Sequence, residues 1–190
     1  MLPDRTYVPN VSSPAPLTAE QLWYVSLPDK RVELVRGVLV VREPTGMRHG
    51  RVTVALTRRL ADYVDDHALG VVYAADTGFT LARAPDTVRA PDISFIRRER
   101  IPDPEPPGFP DLAPDLVVDV LSPGDRPGEL LAKVGEYLTA GTRLVWVIDP
   151  VRRLARVYRH DGTEVVRSEN EPLDGEDVVP GFACLLNTIL

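Results

Sequence analysis

The charged groups of greatest chemical interest sit in apolar company. Asp92 lies in Ala90-Pro91-Asp92-Ile93-Ser94-Phe95-Ile96, and Asp119 lies in Leu116-Val117-Val118-Asp119-Val120-Leu121. A segment carrying Lys133 follows, and then a third apolar run, Leu144-Val145-Trp146-Val147-Ile148-Asp149. Carboxylates in such runs are costly to bury unless they pair or bind a cation. Two aspartates at the ends of neighbouring strands can hold one hard cation such as Mg²⁺, with water completing the shell. A cation held there lowers the pKa of bound water and stabilises charge on a phosphoryl oxygen. A nearby lysine can orient the attacking water or neutralise the developing charge. Together these groups form the set used in metal-dependent phosphodiester cleavage.

Each residue also has a plainer reading. In a strand over Leu116–Leu121 alternate side chains face opposite sides, so Val117, Asp119 and Leu121 share one side. Asp119 could then be a satisfied structural aspartate or an edge residue. Pro91 removes an amide donor, which fits a sheet edge or a bulge that re-aims Asp92. Glu33, between Val32 and Leu34, reads as the outward face of a strand. Lys133 could form a surface pair with Glu129 at i, i+4. His49 opens a helix and could cap it or touch a phosphate, with capping or plain exposure the better reading.

The elements that must position these groups follow from periodicity. Thr18 is a helix N-cap with Glu20 and Gln21 in the first turn of a short helix ending near Leu27. Arg31–Val41 reads as a strand pair about Arg36-Gly37, and His49–Asp66 as an amphipathic helix stopped near Gly70. Val71–Ala74, Gly78–Ala82 and Val88–Arg97 read as strands. Ile101–Pro114 holds six prolines in fourteen residues and must be a stiff, non-helical loop. Gly128–Ala140 reads as a helix with an apolar stripe of Leu131, Val134 and Leu138, flanked by Lys133 and Tyr137. Leu154–Tyr158 and Thr163–Arg167 flank the Asp161-Gly162 turn of a hairpin. The order favours an α/β or α+β domain with a mixed central sheet flanked by helices. Residues 1–16, rich in proline and serine, read as an extended arm, and residues 17–190 as a single domain.

The chain of 190 residues is 44% hydrophobic and 26% charged, as expected of one globular domain. No apolar run approaches the ~20 residues that cross a bilayer. Met1–Pro16 has neither the apolar core nor the basic start of a secretory signal. The lone cysteine, Cys184, argues for a reducing cytoplasm. A net charge of −6 argues against bulk coating of nucleic acid but not against a local basic groove. No Gly-x-Ser-x-Gly, His-x-x-x-His or P-loop points to another hydrolase.

As a set, these residues resemble the PD-(D/E)xK nuclease core, and more closely the Uma-two type restriction endonuclease family. The similar segments are Arg89-Ala90-Pro91-Asp92, Pro114–Pro123 with Asp119 where the family has Glu, Lys133 with Tyr137, Ala140 and Gly141, and Trp146 to Asp149-Pro150. Glu33-Leu34-Val35-Arg36-Gly37 and His49-Gly50 match as well. The resemblance implies a restriction-endonuclease-like fold and Mg²⁺- or Mn²⁺-dependent endonucleolytic hydrolysis of DNA. It implies Asp92 and Asp119 as metal ligands, with Lys133 and Glu33 completing the catalytic set. Two departures stand out. Asp119 is one methylene shorter than the usual Glu, and Leu121 fills the lysine position of the wider superfamily, so Lys133 is expected to supply that charge from the helix. A homodimer is expected, with Phe182–Leu190 and the proline-rich loop as contact elements. The alternative is a catalytically inactive binding or assembly module on the same fold.

Overall fold

Leu116–Val120, buried at all five positions, is an inner strand of a six-stranded sheet. The computed structural model describes residues 15–28 and 30–190, so most of the expected N-terminal arm lies outside the described residues. In chain order the elements are α1 (Ala19–Trp23), β1 (Arg31–Val35), β2 (Val38–Arg42), α2 (Met47–Asp66), β3 (Gly70–Ala74), β4 (Phe79–Ala82), β5 (Thr87–Arg89) and β6 (Ile93–Arg97). They continue with β7 (Leu116–Val120), α3 (Pro127–Thr139), β8 (Leu144–Asp149), β9 (Leu154–Arg159), β10 (Glu164–Ser168), β11 (Pro172–Asp174) and β12 (Ala183–Leu185).

The large sheet runs β10-β9-β8-β7-β6-β3. It is mixed, because β7 and β8 are parallel while its other pairs are antiparallel. The parallel pair is joined through α3, the crossover that parallel strands need. One face packs Phe95, Val118, Leu144 and Trp146 against Val52, Leu56, Leu60 and Val64 of α2, with the C-terminal segment completing that core. The other face packs Val117, Val145 and Val147 against Val134 and Tyr137 of α3. The fold is thus mixed α+β with a central sheet between helices, as the element order implies.

A second sheet, β2-β1-β5-β4, is separate. β1 and β2 form a hairpin whose turn residues Arg36 and Gly37 both have positive φ, 49° and 77°, the handedness a two-residue hairpin favours. Helix α1, closed by a capping box between Thr18 and Gln21, packs Ala19 and Leu22 against Leu34 and Val88 of this sheet.

Four expectations change. Val88–Arg97 is not one strand: β5 pairs in the small sheet and β6 in the large one. Ala90, Pro91 and Asp92 make the crossing between them, where Pro91 needs no ladder partner. The face of α3 is rotated, with Leu131 at 55% exposure while Tyr137 is fully buried. Most of the apolar tail is spent within the chain: Phe182, Leu186 and Ile189 are buried in the α2-side core, and Leu185 is its exposed large apolar side chain. Helix α2 also ends without help from Gly70, which begins β3; the left-handed residue after the helix is Ala68.

Candidate active site

The seam between the two sheets brings the singled-out acids together. β6 runs antiparallel to β7 with Ile93 opposite Val118, so Asp92, just before β6, lies beside the end of β7 where Asp119 stands. β1 reaches the same place from the small sheet with Glu33. Asp92 and Asp119 are each 5% exposed and Glu33 is 4% exposed. All three line a cavity of about 410 Å³, together with Lys133, His49 and Leu121.

Each carboxylate has a distinct set of partners. Asp92 Oδ2 accepts the Val120 backbone N–H at 2.8 Å and faces His49 Nε2 at 3.0 Å. Its other oxygen meets Arg31 Nη1 at 3.3 Å. Burial opposes the charged form of Asp92, but the His49 contact, the Val120 N–H and the charge of Lys133 outweigh it and hold the carboxyl below the usual range. Glu33 Oε2 takes Arg89 Nη1 at 2.9 Å, and Oε1 takes the Ala90 N–H at 3.1 Å. Burial is again the largest influence, and Lys133 and Arg89 overcome it, keeping Glu33 below its ordinary value.

Asp119 differs from both. Its Oδ1 accepts Lys133 Nζ at 2.7 Å, the short separation of a charge-assisted bond. Its Oδ2 is buried with no hydrogen-bond partner. Burial and the neighbouring carboxylates of Asp92 and Glu33 raise the Asp119 carboxyl, with Lys133 opposing them. Lys133, whose charge burial disfavours, is nonetheless pushed up by Asp119 and by Glu33, 3.7 Å away, and so stays an ammonium. Its plainer partner is absent: Glu129 pairs with Arg42 and Arg126. Leu121 packs with the α3-side core, and the ammonium beside Asp119 comes instead from the helix. Tyr137, one turn beyond Lys133, is fully buried, and its hydroxyl has no hydrogen-bond partner. Burial first, then Asp119 and Glu33, pushes that hydroxyl well up, so it stays protonated.

Two residues in this constellation were missed from the sequence. His49 is 7% exposed rather than a surface cap; the N-cap is Gly46. The signal was present, since His49 continues the Val52, Leu56, Leu60 stripe of α2 by one more three-residue step. Arg89, 4% exposed, clamps Glu33 and donates from Nε to Glu136 at 2.7 Å. A lone arginine in a short strand gives no periodic signal.

Among the described residues no group of three or more His, Cys, Asp and Glu side chains stands ready to hold a metal ion. The donor chemistry still suits Mg²⁺, which is commonly bound by one or two carboxylates, water and substrate phosphate. The unpartnered Oδ2 of Asp119 is the observation that fits: an oxygen buried at a cost unless something meets it.

The comparisons with known proteins agree with this architecture. No curated protein matches the chain. Among solved structures, a protein from Anabaena variabilis ATCC 29413, described as a putative nuclease belonging to DUF820, superposes with a TM-score of 0.78. It is 20% identical, and the match covers 92% of this chain and 97% of that one, which shows a shared fold. The family model Uma2, described as "Putative restriction endonuclease", matches residues 20–188, and the chain therefore belongs to that family.

Proposed function

We propose that the protein is a Mg²⁺- or Mn²⁺-dependent endonuclease that hydrolyses phosphodiester bonds of DNA. The observation that carries this reading is the Asp92–Asp119 pair at adjoining strand ends, with Lys133 on one oxygen of Asp119 and the other oxygen unpartnered. Asp92 and Asp119 would hold the cation. When bound, it would polarise the phosphate and make water a better nucleophile.

The chain's own groups do the rest. His49 and the Val120 N–H fix Asp92 through Oδ2, while Oδ1 is met, among the described residues, only by Arg31 at 3.3 Å, the looser contact a cation would replace. Lys133 Nζ holds Oδ1 of Asp119 and offers remaining N–H donors toward a phosphate oxygen, where negative charge grows in the transition state. Glu33 positions Lys133, and Arg89 in turn locks Glu33 with paired bonds to two acids. DNA is the expected partner, and a two-fold dimer would present two such sites to the two strands. No helix among the described residues is long and apolar enough to cross a membrane.

The test is cleavage of supercoiled plasmid with Mg²⁺ or Mn²⁺ against the same buffer with EDTA. Cation-dependent nicking that Asp119→Asn abolishes is the expected result. No cleavage of any DNA form with either cation would favour the reading as a non-catalytic binding module.

A further inference from the structure

The cations of the site fall into two sets. The inner set is tightly held. Lys133 sits 2.7 Å from Asp119, and Arg89 sits 2.7 and 2.9 Å from its two acids with 4% of its side chain exposed. The outer set, Arg31 and Arg42, is held loosely. Arg31 reaches Asp92 at 3.3 Å; Arg42 reaches Glu129 at 3.3 Å and Glu33 only at 3.9 Å. About a third of each outer side chain is exposed, 31% and 34%, and both line the cavity.

These two arginines are also direct cross-strand partners, Arg31 opposite Arg42 in the β1–β2 ladder. Like charges directly opposite one another destabilise a sheet. Two guanidiniums set opposite one another in the lining of an acid-containing cavity therefore match a ligand that carries negative charge on paired oxygens, as a phosphodiester does. Arginine suits phosphate in this role through its forked donors.

We propose that Arg31 and Arg42 form a subsite for a backbone phosphate of DNA, and that Arg31 reaches it by handing Asp92 over to the divalent cation. The proposal rests on the nuclease reading for its ligand. Arg31 is a displaceable counter-ion: without the cation it partly neutralises Asp92, and with the cation that role lapses and its guanidinium turns to the substrate.

Binding of a fluorescein-labelled short DNA duplex, followed by anisotropy over a range of KCl, tests this in EDTA and in Ca²⁺. Arg42→Gln should weaken binding several-fold in both buffers and flatten the dependence of log K on log salt by about 0.9, one phosphate contact. Arg31→Gln should do so in Ca²⁺, and Arg31→Lys should restore most of the slope. Calorimetry with Mn²⁺ alone, without DNA, adds the distinguishing sign: Arg31→Gln should bind Mn²⁺ several-fold more tightly, while Arg42→Gln should match the wild type. Thermal melts check that the variants fold. An unchanged salt slope for Arg31→Gln in Ca²⁺, or Mn²⁺ affinity that fails to rise, overturns the proposal. Loss of cleavage under every condition would instead sink the nuclease reading and leave these binding results standing.

Discussion

Asp115 and Asp119 lie four residues apart at the two ends of β7, and the contrast between them separates structural from chemical use of a buried acid. Asp115 is 1% exposed and both of its oxygens are occupied. Oδ2 accepts the Arg97 N–H at 2.9 Å, and Oδ1 meets Arg100 Nη1 at 2.7 Å. It fastens the turn at the far end of β6 to the start of β7. Asp119 is also buried, yet it keeps one oxygen unpartnered and shares its other with a lysine that a second acid also approaches. A satisfied acid serves the fold; on the proposed reading, the half-satisfied one keeps a coordination position for the cation. Asp86 belongs with Asp115, since it accepts the Ala19 and Ala84 N–H groups and pairs with Arg83.

The largest expected difference is in activity. Asp119→Asn should lower cleavage by on the order of 10²–10³-fold or more, the scale seen when one preorganised group is removed from a reacting centre. Asp115→Asn should leave the rate per folded molecule unchanged. Single-turnover plasmid nicking at matched concentrations of folded protein checks both. Lys133→Met, which keeps the apolar stem and deletes the charge, should cost a comparable factor in cleavage while the melting temperature moves little. Equal cleavage by Lys133→Met and wild type would remove the lysine from the chemistry.

The second difference is in stability. Asp115→Ala leaves the part-buried Arg97 N–H without its acceptor and the Arg100 guanidinium with the Ala113 carbonyl alone, and should cost ~2 kcal/mol in urea unfolding. Acid titration sharpens the comparison further. Hydrogen bonds and Arg83 overcome burial and hold Asp86 below the usual aspartate range. Its stabilisation is therefore present above its unfolded pKa and is lost as the pH falls through its lower folded value. Asp86→Asn should flatten that acid limb of the stability profile. The smallest effect is expected at the rim: Glu129→Gln breaks only exposed pairs and should change stability by less than ~1 kcal/mol.

Much of this was legible in the sequence because it follows from short-range rules. The alternation in β7 put Asp119 on the face that α3 covers, and the apolar stripe of α2 set its buried side. The Thr18 cap and the Asp161-Gly162 hairpin turn were local chemistry. What escaped depended on contacts distant in sequence. Nothing local tells that β5 and β6, three residues apart, serve different sheets, or that Glu33 would find Arg89 across 56 positions. By alternation alone Glu33 therefore reads as an outward strand residue, and only the family resemblance sets it with the site acids. The rotation of α3 has a similar origin: its inward face includes Lys133, which hydropathy assigns to solvent and which Asp119 and Glu33 draw inside.

The central claim is that Asp92 and Asp119 together hold a divalent cation, and titration calorimetry with Mg²⁺ and Mn²⁺ on the wild type, Asp92→Ala and Asp119→Ala measures it most directly. The account predicts binding by the wild type and a strong loss of affinity in each variant, with Asp115→Asn as a folded control that binds like the wild type. Equal affinity in the wild type and both alanine variants would contradict it.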